Sequence, residues 1–148
     1  MNAHWDDTPF IAIIDDDEHS AHLLTRTLLA QGAPAVRHLG DGEAGWPALL
    51  AILGDVNRIW PDLLVVDLKA HSAANLDFVA RGQSTLRQKG VPLVVMTQPL
   101  DRNGRQALYD AGASAVFFRQ AEHDAYWHEV AGLIDFQARI ERLDAVGM

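Results

Sequence analysis

The chain has 148 residues, 49% hydrophobic and 22% charged, with a formal net charge of -8 and no cysteine. One domain of this length buries roughly two-thirds of its unfolded surface. The acidic balance excludes a general nucleic-acid surface, and the absence of cysteine excludes disulfides, thiol chemistry and cysteine metal clusters.

Phe10-Ile11-Ala12-Ile13-Ile14 is a short apolar run closed by Asp15-Asp16-Asp17, which predicts a buried strand with carboxylates at its end. Glu18 to Ala30 reads as a helix with Leu23, Leu24, Thr27 and Leu28 on one side and Gly32 as its stop. Asp17, and Asp16 with it, can cap that helix. Ala35 to Leu39 is a second strand, and Asp41-Gly42-Glu43 turns into a second helix whose regular part is expected to begin close to Pro47. Its apolar face is Leu49, Leu50, Ile52 and Leu53, and Gly54-Asp55 interrupts it before Trp60. Trp46 and Trp60 read as packing residues.

Leu63-Leu64-Val65-Val66 is a third strand ending in Asp67, followed by a loop from Lys69 to Asn75. A third helix carries Leu76, Phe78, Val79 and Leu86 and ends at Lys89-Gly90. Val91 to Met96 is a fourth strand ending in Thr97. Asp101 caps a fourth helix burying Ala107, Leu108 and Ala111, with Gly112 as its stop. Ala115 to Phe118 is a fifth strand. The last helix runs from about Glu122 to about Val146 with Trp127, Val130, Leu133, Ile134, Ala138 and Leu143 toward a sheet. A second stripe, Leu133, Phe136, Ile140 and Leu143, has the spacing of a partner-facing helix. A single broad buried face also accounts for both stripes. No apolar run reaches the about 18 residues of a membrane span and no signal-peptide pattern opens the chain, so a cytoplasmic location is expected.

Strand and helix alternate five times with short connections. The expected fold is α/β: a (βα)5 flavodoxin-like three-layer sandwich around a five-stranded parallel sheet, with residues 1–148 as one domain. Asp15, Asp16, Asp67 and Thr97 then fall at strand ends, where open α/β sheets place their ligand crevice. Clustered carboxylates repel one another unless a cation is present, and oxygen-rich sites suit magnesium. A neighbouring hydroxyl suits contact with a phosphoryl oxygen. Together these favour an aspartate that receives a phosphoryl group. His19, His22 and His71 read as solvated or capping residues.

With Ile13-Ile14-Asp15-Asp16-Asp17, Pro61-Asp62 before the third strand, Asp67-Leu68, Met96-Thr97 and Ala111-Gly112-Ala113 in this order, the sequence resembles the receiver domain of bacterial two-component response regulators, from Phe10 to about Val130. The resemblance implies Asp67 as phosphoacceptor and Thr97 and Arg119 as phosphoryl contacts. It implies Mg2+ held by Asp15 through water, by Asp16 and Asp67, and by the backbone carbonyl of Lys69. It also implies a sensor histidine kinase or phosphotransfer protein as donor, and an output through the surface of helix four, strand five and helix five toward a homodimer partner or an attached output domain. No direct nucleic-acid binding is expected of this domain, and no catalysis beyond slow self-phosphorylation from small donors and self-dephosphorylation.

The sequence departs from the family pattern where Arg119-Gln120 replaces lysine-proline, Val116 replaces the switch aromatic, Gln98 replaces a small residue, and His71-Ser72 stands in place of proline-glycine. Arginine keeps the charge but not the compact geometry of an ammonium. Lys69 is therefore a candidate compensating charge, either leaning across the pocket or standing in solvent without a role. Two other functions compete. One is a phosphorylation-independent pseudo-receiver acting in interaction or dimerisation. The other is a magnesium-dependent phosphohydrolase, which needs a second acid-base carboxylate where Lys69 stands.

Overall fold

The structure, a computed structural model, describes residues 8–145. The elements alternate as β1 (Ile11–Asp15), α1 (Glu18–Ala30), β2 (Val36–Gly40), α2 (Gly42–Leu53), β3 (Leu63–Asp67), α3 (Ala74–Lys89), β4 (Leu93–Thr97), α4 (Arg102–Ala111), β5 (Ala115–Phe118) and α5 (His123–Ala145). The strands form one sheet in the order β2-β1-β3-β4-β5, all pairings parallel. This is the (βα)5 flavodoxin-like sandwich, and its order reverses between β1 and β3, where such sheets open their crevice.

Period-2 alternation sorts the core into two layers. Ile11, Ile13, Leu63, Val65, Val94 and Met96 face α1 and α5, where Leu24, Leu28, Val130 and Leu133 are buried. Ala12, Ile14, Leu64, Val66, Leu93 and Val95 face α2, α3 and α4. The three inner strands are buried on both faces, which explains their continuous apolar sequence.

Local chemistry sets the helix ends. Asp17 Oδ1 accepts from the His19 and Ser20 amides, Asp41 Oδ1 from Ala44, and Asp101 Oδ1 from Gly104. Gly90 ends α3 in the left-handed region, at φ +74. Gly82, a weak helix former within α3, lies under the Trp46 ring; a Cβ there would stand 3.0 Å from it. Trp46 meets Phe78 edge-on at 5.5 Å between centroids, so it packs as expected.

Four details differ from the sequence reading. The regular helix α2 begins at Gly42, ahead of Pro47, and runs through it. Leu23 is exposed, and Ala21 takes its place in the buried stripe of α1. On α4 only Leu108 is fully buried, with Ala107 and Ala111 half-buried. On α5 Trp127 is 38% and Leu143 54% exposed, while Tyr126, Val130, Leu133 and Gln137 form the buried stripe. The expected end at Val146 lies outside the described residues. Among them, no helix is long and apolar enough to cross a membrane.

The β5 edge of the sheet is capped from two helices. The Val116 amide donates to the Tyr109 hydroxyl at 3.2 Å, and the Phe118 amide donates to Glu129 Oε1 at 2.7 Å. An open edge would present these donors to another chain. Glu129→Ala leaves the Phe118 amide unpaired and is expected to cost about 1–3 kcal/mol in urea unfolding, with Glu129→Gln, which keeps an acceptor oxygen, losing less.

Asp62, just before β3, has its carboxyl pushed above the ordinary 3.8 by burial and then by the charge of Glu141 on α5. The folded chain therefore holds this proton to higher pH than the unfolded chain. Its contribution to stability is complete below pH 3.8 and is lost as pH rises through the raised pKa. Asp62→Asn is expected to be more stable than wild type near neutrality and to lose that advantage in acid, as read by thermal melts across this range.

Candidate functional site

The register of β1 on β3 sets Asp15 opposite Asp67. Both are only 1% exposed, and Thr97, ending the neighbouring β4, is 7% exposed. Two adjacent buried carboxylates demand positive charge, and two side chains supply it. Arg119, just beyond β5, donates from Nη1 to Asp67 Oδ1 at 2.5 Å. Its own amide donates to the Thr97 carbonyl at 2.6 Å, which ties the end of β5 to β4.

Lys69 turns inward. Its Nζ lies 2.7 Å from Asp15 Oδ1, 3.2 Å from Asp67 Oδ1 and 3.2 Å from the Asp67 carbonyl oxygen. An ammonium has three donors, and here three oxygens surround it. The loop that carries Lys69 is held at two amides. Leu68 N–H donates to Asn75 Oδ1 at 2.8 Å, and Lys69 N–H lies 3.0 and 2.9 Å from the two carboxylate oxygens of Asp16. Asp15 Oδ1 also accepts from the Asp17 amide at 2.8 Å, whereas Asp15 Oδ2 is buried without a partner. On the opposite side His38 Nε2 meets the Asp15 carbonyl at 2.9 Å, as the donor of that bond.

Burial pushes the Asp67 carboxyl up, Asp15 adds to the effect, and Lys69 and Arg119 oppose it; burial prevails. Tyr126, on the first turn of α5, is driven upward by burial and then by the charges of Asp67 and Asp15, so its phenol stays neutral beside them. A cleft of about 450 Å³ lined by Asp17, His19, Lys69, Arg119, Gln120 and Tyr126 opens onto this region. Both cations are thus reachable from solvent, each about one-quarter exposed in its side chain (26% for Lys69, 27% for Arg119).

The acids do not fit a divalent cation as they stand. Lys69 Nζ occupies the space between Asp15 and Asp67, and both oxygens of Asp16 accept from the Lys69 amide. Among the described residues no group of three His, Cys, Asp or Glu side chains converges to hold a metal. Gln98 and His71 are exposed, and His71 Nδ1 accepts from the Ala73 amide at 3.3 Å. Val116 is buried, and the aromatic neighbours Phe117 and Phe118 are half-buried.

Sequence reasoning passed over Asn75, Tyr126 and His38. The signal for Tyr126 was its place four residues before Val130, on the same face as Leu133. Asn75 and His38 act through loop and edge geometry that carries no periodic signal. Asn75→Ala is expected to cost about 1–3 kcal/mol by unpairing the Leu68 amide and to speed hydrogen exchange at that amide.

No protein-family model matches the sequence, and no curated protein matches it. Solved structures do. The phosphorylated cyanobacterial phytochrome response regulator RcpA is similar at a TM-score of 0.69 and 20% identity, over 88% of this chain and 94% of that one. A response regulator receiver domain from Rhodospirillum rubrum is similar at 0.65 and 21% identity, over 84% and 89%. A receiver domain protein from Methanospirillum hungatei is similar at 0.65 and 14% identity, over 95% and 99%. The chain has the fold of response-regulator receiver domains.

Proposed function

We propose that this chain is a phosphoacceptor signalling module in which Asp67 receives a phosphoryl group. The observation that carries the reading is the buried Asp67 carboxylate at the end of β3, with Arg119 and Lys69 both on its Oδ1 and the Thr97 residue ending the adjacent strand. Oδ2 is then the oxygen not engaged by either cation, and it attacks the phosphorus of the donor. Arg119 and Lys69 offset part of the charge gathered at the acceptor as the group arrives, and the Thr97 hydroxyl bonds a phosphoryl oxygen. A sensor histidine kinase or phosphotransfer protein supplies the group in this reading. The consequence is transmitted through Arg119, whose amide is bonded to Thr97, to the surface of α4, β5 and α5. That surface and the extended α5, with Leu143 exposed, would meet a second copy or an attached output domain. Magnesium at Asp15, Asp16, Asp67 and the Lys69 carbonyl belongs to this reading only in a rearranged site with the ammonium displaced.

Two observations favour the second reading, a phosphorylation-independent interaction domain. The acid pair is already matched by two cations, and Val116 stands where receivers carry a switch aromatic. Intact-mass measurement after incubation with acetyl phosphate decides between them. Wild type is expected to gain the mass of one phosphoryl group and Asp67→Asn none. Absence of any gain, under conditions that label a known receiver, favours the interaction domain; a gain surviving in Asp67→Asn assigns the wrong acceptor.

A further inference from the structure

Resting on the phosphoacceptor reading, we infer that the Lys69 ammonium is the resident cation of this site, so that phosphoryl transfer to Asp67 needs no divalent metal. The ammonium touches both buried carboxylates, at 2.7 Å to Asp15 and 3.2 Å to Asp67. Its position is not that of a freely waving surface lysine. Its own amide is bonded to both oxygens of Asp16, and the preceding amide is bonded to the buried Asn75. With Arg119, it matches two carboxylates by two positive charges. A metal entering this pair would have to displace an ammonium with three oxygen partners.

The same loop engages the other acid. Asp16, the carboxylate best exposed for direct coordination, faces the Lys69 amide. Asp15 Oδ2 is buried without a partner and Asp67 Oδ2 is the attacking atom, so neither carboxylate of the pair presents both of its oxygens to a metal. The transfer balances without a metal. The new bond joins Asp67 Oδ2 to phosphorus, and the bond from phosphorus to the acyl oxygen of acetyl phosphate breaks. Acetate leaves with that electron pair, and no proton has to move. Lys69 and Arg119 remain on the acceptor throughout.

Removing the ammonium creates the demand for a metal. In Lys69→Met, Asp15 and Asp67 face each other with Arg119 alone, and like charges at this spacing favour a bound cation. Two measurements test this. In the first, free Mn2+ is titrated by electron paramagnetic resonance against wild type, Lys69→Met and Lys69→Gln, each checked for folding by circular dichroism. Both variants are expected to bind Mn2+ at least about tenfold more tightly than wild type. In the second, labelling by acetyl phosphate is followed by intact mass with magnesium or with EDTA. The wild-type rate is expected to be unchanged within about twofold, while the variants slow by about tenfold in EDTA and recover with magnesium.

Equal Mn2+ affinity in wild type and variants overturns the inference, as does loss of wild-type labelling in EDTA. If wild type is labelled in neither condition, the phosphoacceptor reading falls, and the Mn2+ titrations still decide whether Lys69 holds the cation position.

Discussion

Two carboxylates are brought side by side in the interior by strand register. Asp15 and Asp67 are paired positions on β1 and β3, one of the two inner pairings of the sheet, and neither has appreciable access to water. Apolar packing on both faces keeps those strands in place, and the acids come with them. A pair of this kind is costly unless it is matched by charge held in place. The arrangement of Lys69, Arg119 and the neutral Tyr126 around the strand ends follows from that requirement.

Lys69 joins two tasks. Its amide holds Asp16 and thereby fixes the course of the loop after β3; its ammonium neutralises the acids beside that loop. Loop position and charge balance are therefore one variable. Asn75 enters at this point, since its side chain holds the residue between Asp67 and Lys69. Arg119 does the corresponding work from β5, joining its amide to Thr97 and its guanidinium to Asp67. Its planar fork contributes direction, and the compact ammonium contributes proximity.

The strands were legible because burial on both faces forces unbroken apolar runs, and the starts of α1 and α4 because Asp17 and Asp101 are capping residues. The positions of Asp15, Asp16, Asp67 and Thr97 at strand ends followed from the same runs. The direction of Lys69 was not legible, since it depends on how a short loop turns and on bonds to Asp16 and Asn75 that are distant in sequence or carry no pattern. The exchange of Trp127 for Tyr126 in the buried stripe of α5 has a similar origin. Both are large aromatics on adjacent positions, and the helix rotation that chooses between them is set by packing on β5 and α1. Pro47 misled in the other direction, because a helix capped by Asp41 and packed through Leu49 and Leu53 tolerates one missing amide near its start.

The caps on β5 bear on how the outer face of the molecule can move. Tyr109 belongs to α4 and Glu129 to α5, yet both grip amides of the same four-residue strand. Sliding either helix by one residue, about 1.5 Å along its axis, breaks a hydrogen bond that shields an edge donor. The two helices are thus indexed to one ruler. Small independent shifts are opposed, and displacements that carry both helices with the strand leave the caps intact, so the face is coupled through β5.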